Sequence, residues 1–297
     1  MGSYLVDELL AGGHTPSLLV RPGSEGKVDQ SGKCTVHLGT ISDQRAIEAT
    51  LNNCQAIIYN IGVIREFPGE ETTFELAHHG GVKKCSDAAV RLGIRRFILM
   101  SANGVKSDGT AYQRTKFEGE EYLRRTGLAW TVFRPSTIFG DPRGRLDFAT
   151  MLKRQIVDPP LPAPLFFPGL SVTAAGQFRF SPVHVRDVAA AFIRSLTDKT
   201  TFNKTIVLAG PESLSWKSII KRVALACDKN KWTVPVPVAL VKSGAALFDR
   251  FKWFPVTRMQ ITMLLEGNVG NPRELAGLIN KSPARFDTDN LVYLKSM

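Results

Sequence analysis

The feature that most narrows the fold is a short, unbroken apolar run that recurs between helix-like stretches. Ala56-Ile57-Ile58-Tyr59 and Arg96-Phe97-Ile98-Leu99-Met100 show no polar alternation, so strands formed there need cover on both faces. Runs at 17–20 (Ser-Leu-Leu-Val), near 35–38 and at 129–133 read the same way. Helical patterns lie between them at 4–11, 43–51, 73–92 and 113–126; in the third, Ala77, Cys85, Ala88, Ala89 and Leu92 share one face. This alternation predicts an α/β fold, a Rossmann-type doubly wound parallel sheet, rather than a helical bundle.

The pattern changes after residue 140. Segment 156–176 carries five prolines and two glycines and is expected to be a loop or irregular lid. A strand is expected near 179–183, a helix over 187–196 and a strand over 205–208, and Ser215 is placed to cap a helix running through Cys227. The rest reads as mostly helical, punctuated by Pro235, Pro237, Pro255 and Pro272. The expected division is a core over 1–140 and a small C-terminal substrate or partner lobe over 141–297, with 179–212 returning to the core.

Composition removes several classes. With 43% hydrophobic and 22% charged residues, the chain is an ordinary globular protein rather than a disordered one. Cys34, Cys54, Cys85 and Cys227 are scattered singly, unlike a zinc site or a disulfide scaffold, and fit a reducing, cytoplasmic compartment. No basic-plus-apolar leader is visible, and no apolar run reaches the ~20 residues that span a bilayer. The net charge of +11 attracts anionic partners. The cations nevertheless come in short groups such as Lys83-Lys84, Arg95-Arg96 and Arg124-Arg125, without a basic stripe interleaved with aromatics, so no nucleic-acid partner is expected. His78-His79 has no acidic or cysteine companion at ligand spacing, and no metal is expected.

Dinucleotide sites begin with a strand, a glycine-rich turn and a helix whose N-terminus faces the pyrophosphate. Here Met1-Gly2-Ser3 passes straight into a helical pattern, so the sheet is expected to lack its first strand. Met1-Gly2-Ser3 is either an unrelated leader or the end of such a turn, with Gly2 its last glycine and Ser3 opening the helix. In the second case a Cβ at Gly2 would obstruct strand–helix packing. Arg21, directly after the strand at 17–20, is either a solvated turn residue or a partner for an adenosine 2′-phosphate, which favours NADP over NAD. Asp43 either contacts the adenine side or caps its helix. Asn60 and Gly62 follow the strand at 56–59, where glycine lets backbone run close to a cofactor.

Several longer stretches then fall in order. They are Gly2-Ser3-Tyr4-Leu5-Val6, Phe97-Ile98-Leu99-Met100-Ser101, 111–120 (Ala-Tyr-Gln-Arg-Thr-Lys-Phe-Glu-Gly-Glu), Arg134-Pro135-Ser136-Thr137-Ile138-Phe139-Gly140, 182–189 (Pro-Val-His-Val-Arg-Asp-Val-Ala) and Leu208-Ala209-Gly210-Pro211-Glu212. Together they resemble the extended or atypical short-chain dehydrogenase/reductases, within them the NAD(P)-binding group related to the respiratory complex I 39-kDa accessory subunit. The resemblance implies a Ser101, Tyr112 and Lys116 triad. Tyr112 and Lys116 are four apart and share a helix face. There Lys116 would hold the nicotinamide ribose and lower the pKa of Tyr112, Tyr112 would move the proton that accompanies hydride transfer, and Ser101 would orient a substrate oxygen. It also implies that Pro135, Ser136, Thr137 and Ile138 line the nicotinamide side.

Outside the triad, Arg134 is either an ion-pair residue or a substrate contact, and His184 is expected to be architectural, with Asp187 near a helix cap. Stretch 238–254, with Lys242, Arg250 and Lys252, either lies at a membrane surface or packs over the C-terminal lobe. Phe166-Phe167-Pro168-Gly169-Leu170 is a substrate lid, a partner contact or internal packing. The expected function is an NAD(P)H-binding oxidoreductase-like protein that passes hydride to a small carbonyl substrate. The alternatives are a non-catalytic, cofactor-stabilised module for a respiratory or membrane partner, peripheral on the inner face of a membrane, and a nucleotide-sugar epimerase or dehydratase.

Overall fold

The computed structural model describes residues 1–28, 30–67, 72–169, 171–248 and 257–297, which form two compact units. The first is Met1–Arg134 with Val188–Ile206. It opens with helix α1 (Gly2–Ala11), strands β1 (Ser17–Val20) and β2 (Thr35–Leu38), and helix α2 (Gln44–Leu51). Strand β3 (Ala56–Tyr59) leads into a π-helical turn, Glu75–Gly80, that continues as α3 (Gly81–Arg91). Strand β4 (Arg96–Met100), helix α4 (Ala111–Arg124) and strand β5 (Ala129–Pro135) follow. Thr110 and Gln113 form a capping box that starts α4, satisfying two orphan N–H groups at its first turn.

The unalternated runs behave as their composition requires. Phe97 and Ile98 are both fully buried on opposite faces of β4, and on β5 Val132 packs in the cluster of α3 while Phe133 packs against Phe192 with ring centroids 4.7 Å apart. Helices therefore cover both faces of a parallel sheet. The sheet is in two pieces. Among the described residues β1 pairs only with β2, and β3, β4, β5 and β10 (Lys204–Leu208) form a separate group ordered β10-β5-β4-β3. Leu19 of β1 nevertheless packs on the core that holds Ile57 and Tyr59 of β3, so the two pieces share one interior. Among the described residues, the edges of β1 and β3 away from their partners carry no strand. Arg96, buried at the start of β4, ties this unit internally by donating to the Ser195 and Ala129 carbonyls and to Thr131.

The second unit is Pro135–Asp187 with Val207–Met297. Its elements are β6 (Ile138–Phe139), α5 (Phe148–Leu152), β7 (Ala163–Phe167), β8 (Arg179–Phe180), β9 (Val183–His184) and the start of α6 (Val185–Arg194). β11 (Leu214–Ser215), α7 (Trp216–Ala226), β12 (Thr233–Pro237), α8 (Val238–Phe248), α9 (Arg258–Glu266) and α10 (Pro272–Ile279) complete it. Its core gathers Phe180, Trp216, Ile219 and Ile220 around α7, and Ser215 caps that helix by accepting from the Ser218 N–H at 3.2 Å.

Two expectations are corrected here. Segment 156–176 is not wholly irregular, because β7 lies within it and pairs in parallel with β12, a stretch expected to be helical. Prolines mask this pair. In a two-stranded sheet each strand keeps one unpaired edge, and the alternate residues Pro235 and Pro237 can both face it without losing a ladder bond. The strand near 179–183 is likewise two short strands broken at Ser181-Pro182, with β8 antiparallel to β11 and β9 parallel to β6. Of the stretches left open, Phe166 and Phe167 are buried in β7, whereas Leu170 and 249–254, with Arg250 and Lys252, lie outside the described residues, as does Pro255.

Candidate functional site: the Tyr112–Lys116 face of the first unit

Helix α4 places Tyr112 and Lys116 one turn apart on the face turned toward the C-terminal ends of β3 and β4. Lys116 is buried, with 8% of its surface exposed. Among the described residues its ammonium makes one long hydrogen bond, 3.4 Å to the Met100 carbonyl, and it sits 5.5 Å from the Tyr112 ring centroid. Burial with so few acceptors lowers its pKa to about 8, although Glu120 partly opposes the shift. Tyr112 is half-buried. Its hydroxyl makes no hydrogen bond among the described residues, and burial raises its pKa.

A void of about 10 Å³, room for roughly one water, touches Tyr59, His78, Met100, Ser101 and Lys116. Gly62 borders it: a Cβ there would lie 3.5 Å from both His78 Nε2 and Lys116 Nζ. A buried cation short of acceptors and a phenol short of partners, beside a glycine loop, are the groups that a ribose and a reacting oxygen would satisfy. These residues fit a nicotinamide nucleotide.

Ser101 borders the same void and is buried, and its hydroxyl donates to Glu120 Oε1 at 2.5 Å. Glu120, fully buried, also receives Arg134 through Nε at 2.9 Å and Nη2 at 2.6 Å, and Arg124 through Nη2 at 2.7 Å. Arg134 is thus an ion-pair residue, and the Ser101 proton is committed to a carboxylate. The sequence held a signal for this: Glu120 follows Lys116 at the same spacing by which Lys116 follows Tyr112.

The other expected cofactor residues are dispersed. Gly2 begins α1 beside Asn60, where a Cβ would meet Asn60 Nδ2 at an ordinary 3.5 Å. Ser3 lies in the first turn of α1, and Arg21 is exposed directly after β1. Asp43 caps α2, accepting from the Arg45 and Ala46 N–H groups at 2.9 and 3.2 Å. Pro135, Ser136, Thr137 and Ile138 fall in the second unit. There the Ser136 N–H donates to the Leu208 carbonyl at 2.9 Å and its hydroxyl to the Ser181 carbonyl, while Thr137 accepts from Val183 and Ile138 pairs with it.

His184 packs edge-on against Phe139, and Asp187 accepts from the Ala284 N–H at 2.7 Å and pairs with Lys281. Sequence reasoning missed the companions of His79. Glu75 and Glu118 bring their ligand-type atoms within 4.8 Å of one another and of His79, with Glu75 already bonded to the imidazole at 2.7 Å.

Residues 1–155 match the sequence profile of the NAD(P)H-binding proteins, more than half of the chain. The chain belongs to the NAD(P)H-binding family. The parallel sheet covered by helices on both faces is the Rossmann arrangement of that family. Over 267 residues it is 27% identical to the mitochondrial NADH-ubiquinone oxidoreductase 40 kDa subunit of Neurospora crassa, covering 86% of this chain and 65% of that subunit. It is 20% identical to the UDP-glucose 4-epimerase of Vibrio cholerae, covering 78% of this chain and 75% of the epimerase. The NAD complex of UDP-glucose 4-epimerase from Thermus thermophilus superposes with a TM-score of 0.70, 16% identity, and coverage of 99% of this NAD(P)H-binding chain and 94% of the epimerase. At that identity the likeness establishes the fold. No helix among the described residues is long and apolar enough to cross a membrane.

Proposed function

We propose that this NAD(P)H-binding protein is an oxidoreductase or epimerase that interconverts an alcohol and a carbonyl at the Tyr112–Lys116 face. The observation that carries the reading is the arrangement on α4, a buried ammonium with one long hydrogen bond and, 5.5 Å from it, the ring of a half-buried phenol that makes no hydrogen bond among the described residues. Nicotinamide bound there supplies or takes up the hydride. When the alcohol carbon gives up its hydride, its hydroxyl proton passes to the Tyr112 oxygen; in reduction Tyr112 returns it. Lys116, beside the ring, stabilises the phenolate and lowers the cost of that transfer. Gly2, Ser3, Asn60 and Gly62 would hold the nucleotide with Lys116, and Arg21 would meet a 2′-phosphate if the nucleotide is NADP. The epimerases among the similar proteins suggest a nucleotide-sugar substrate.

The test measures nucleotide affinity of the chain by titration calorimetry, and turnover on nucleotide-sugars and a carbonyl panel. Tyr112→Phe is expected to cut turnover by about 10²–10⁴-fold while the nucleotide dissociation constant stays within about threefold. Nucleotide binding without Tyr112-dependent turnover on that panel counts against the enzyme reading, and absence of binding removes the site.

A second reading is favoured by two observations: the Ser101 hydroxyl is occupied by Glu120, and the second unit exposes Leu161, Trp232 and Leu240 at 70%, 79% and 68% on or beside the β7–β12 pair. In this reading the nucleotide stabilises the fold, and that surface, with Lys242 exposed on α8, docks on a respiratory or membrane partner.

A further inference from the structure

His78 is a buried titratable side chain of the site that the proposed chemistry does not use. It stands in the π-helical turn Glu75–Gly80 with 2% of its surface exposed, and such turns displace single residues out of helical register. Nε2 lies 3.2 Å from the Val63 N–H, at the end of the glycine loop that follows β3. Nδ1 lies 3.0 Å from Thr115 Oγ1 on α4. A backbone N–H only donates, so Nε2 is an acceptor, the proton sits on Nδ1, and the imidazolium form is excluded by that bond. Nδ1–H then donates to Thr115, whose own hydrogen goes to the Ala111 carbonyl at 2.9 Å. Every polar atom in this chain of bonds has a direction.

The ring faces carry equal constraint. Phe74 stacks on His78 with centroids 5.4 Å apart, and Tyr112 meets it edge-on at 5.1 Å and 86°. The main chain is engaged too, because Gly119 lets α4 pass so close that a Cβ there would lie 2.4 Å from the His78 carbonyl oxygen. His78 thus joins the loop bearing Gly62, the π turn and the helix bearing Tyr112 and Lys116.

We propose that His78 is the positioning residue of this site: as the Nδ1–H tautomer it pins the 60–63 loop to α4 and holds the Tyr112 ring in place beside Lys116. The inference rests on the Tyr112–Lys116 reading of the site. The groups that face it are Lys116 and Tyr112 from α4 and Tyr59 from β3. Burial, reinforced by the Lys116 charge, holds its pKa down near 3, in keeping with the neutral form that the bonds demand.

Long-range ¹⁵N–¹H spectra of the whole chain read the tautomer directly. The expected result is an Nδ1-protonated imidazole whose signals do not move between about pH 5 and 8.5. An Nε2–H tautomer, or a ring titrating near its ordinary value of about 6.5, overturns the proposal. His78→Phe keeps the stack on Phe74 and removes both hydrogen bonds. It is expected to shift the Tyr112 ring signals, to move the Lys116 titration by about half a pH unit and to weaken nucleotide binding about tenfold. His78→Asn, which can accept from Val63 and donate to Thr115, is expected to return each within about twofold of the original, and His79→Ala should change none of them.

If His78→Phe leaves the Lys116 titration and nucleotide affinity unchanged, His78 merely fills space and the proposal fails. Should that variant not fold, the tautomer of the original chain and the His78→Asn rescue still decide. None of these readouts needs turnover. A protein with the expected tautomer and shifts but no Tyr112-dependent chemistry loses only the hydride-transfer reading.

Discussion

Replacing Lys116 with methionine is expected to stabilise the nucleotide-free chain while abolishing Tyr112-dependent turnover. Burial lowers the Lys116 pKa from 10.5 to about 8, so the folded state holds that proton less tightly than the unfolded one, at a cost of roughly 3 kcal/mol near neutral pH. The sign follows from proton counting. Between about pH 8 and 10.5 the unfolded chain binds more protons at this position, so its contribution to stability rises with pH across that window. Urea unfolding at pH 7 and pH 10 should show the rise in the original chain and its loss in Lys116→Met, with the variant about 3 kcal/mol more stable at pH 7. Equal stabilities at pH 7 would show that Lys116 finds acceptors the folded chain does not display. A gain in stability coupled to a loss of function is the signature of a charge kept for its ligand.

The Glu120 cluster should respond unevenly to removal of its two sides. Glu120 is fully buried while Arg134 and Arg124 keep 21% and 25% of their side-chain surface exposed. Arg134→Met strips a buried carboxylate of its bidentate partner and is expected to cost about 3–5 kcal/mol. Glu120→Gln leaves two arginines that can turn toward water and keeps an acceptor for Ser101, so it should cost only about 1–2 kcal/mol. Denaturant titrations give the order, and a reversed order would mean that the cluster is held by the helix rather than by the carboxylate.

Much of the first unit was legible because its strands are short apolar runs, with β4 buried on both faces and β1 and β3 half-buried. Ser17–Val20, Ala56–Tyr59 and Arg96–Met100 appear at the residues where apolar runs sit between turn signals. Tyr112 and Lys116 were singled out by the resemblance, and their four-residue spacing put them on one face, since a helix turn fixes which side chains are neighbours. Three features were hidden for different reasons. The β7–β12 pair is masked by prolines that a two-stranded sheet tolerates but a propensity reading penalises. Commitment of Ser101 to Glu120 depends on Arg134, whose approach to Glu120 is made by packing β5 on α4. The π turn that carries His78 inward leaves no periodic mark, because a single inserted residue breaks the pattern only locally. The aromatic seat of Phe74, His78 and Tyr112 was invisible for the same reason.

The division of the sheet between β1 and β3 has a mechanical consequence. A continuous sheet transmits local opening through its ladder, so that one strand cannot leave without breaking bonds to the next. Here the layer made of β1, β2 and α2 is attached to β3 through side chains such as Leu19, Ile41, Ile47 and Leu51. It resembles a hinged panel more than a riveted one. Amide protons of 17–51 are therefore expected to exchange by a local opening of lower free energy than that of β4, which is laddered on both sides. Native-state hydrogen exchange would show this as two protection classes, and a single class would mean that the seam is as strong as the ladders flanking it. Arg21 and Asp43 lie on the panel, whereas Tyr112 and Lys116 belong to the laddered frame. The part of the site expected to recognise the adenosine end can thus loosen while the reacting end keeps its shape.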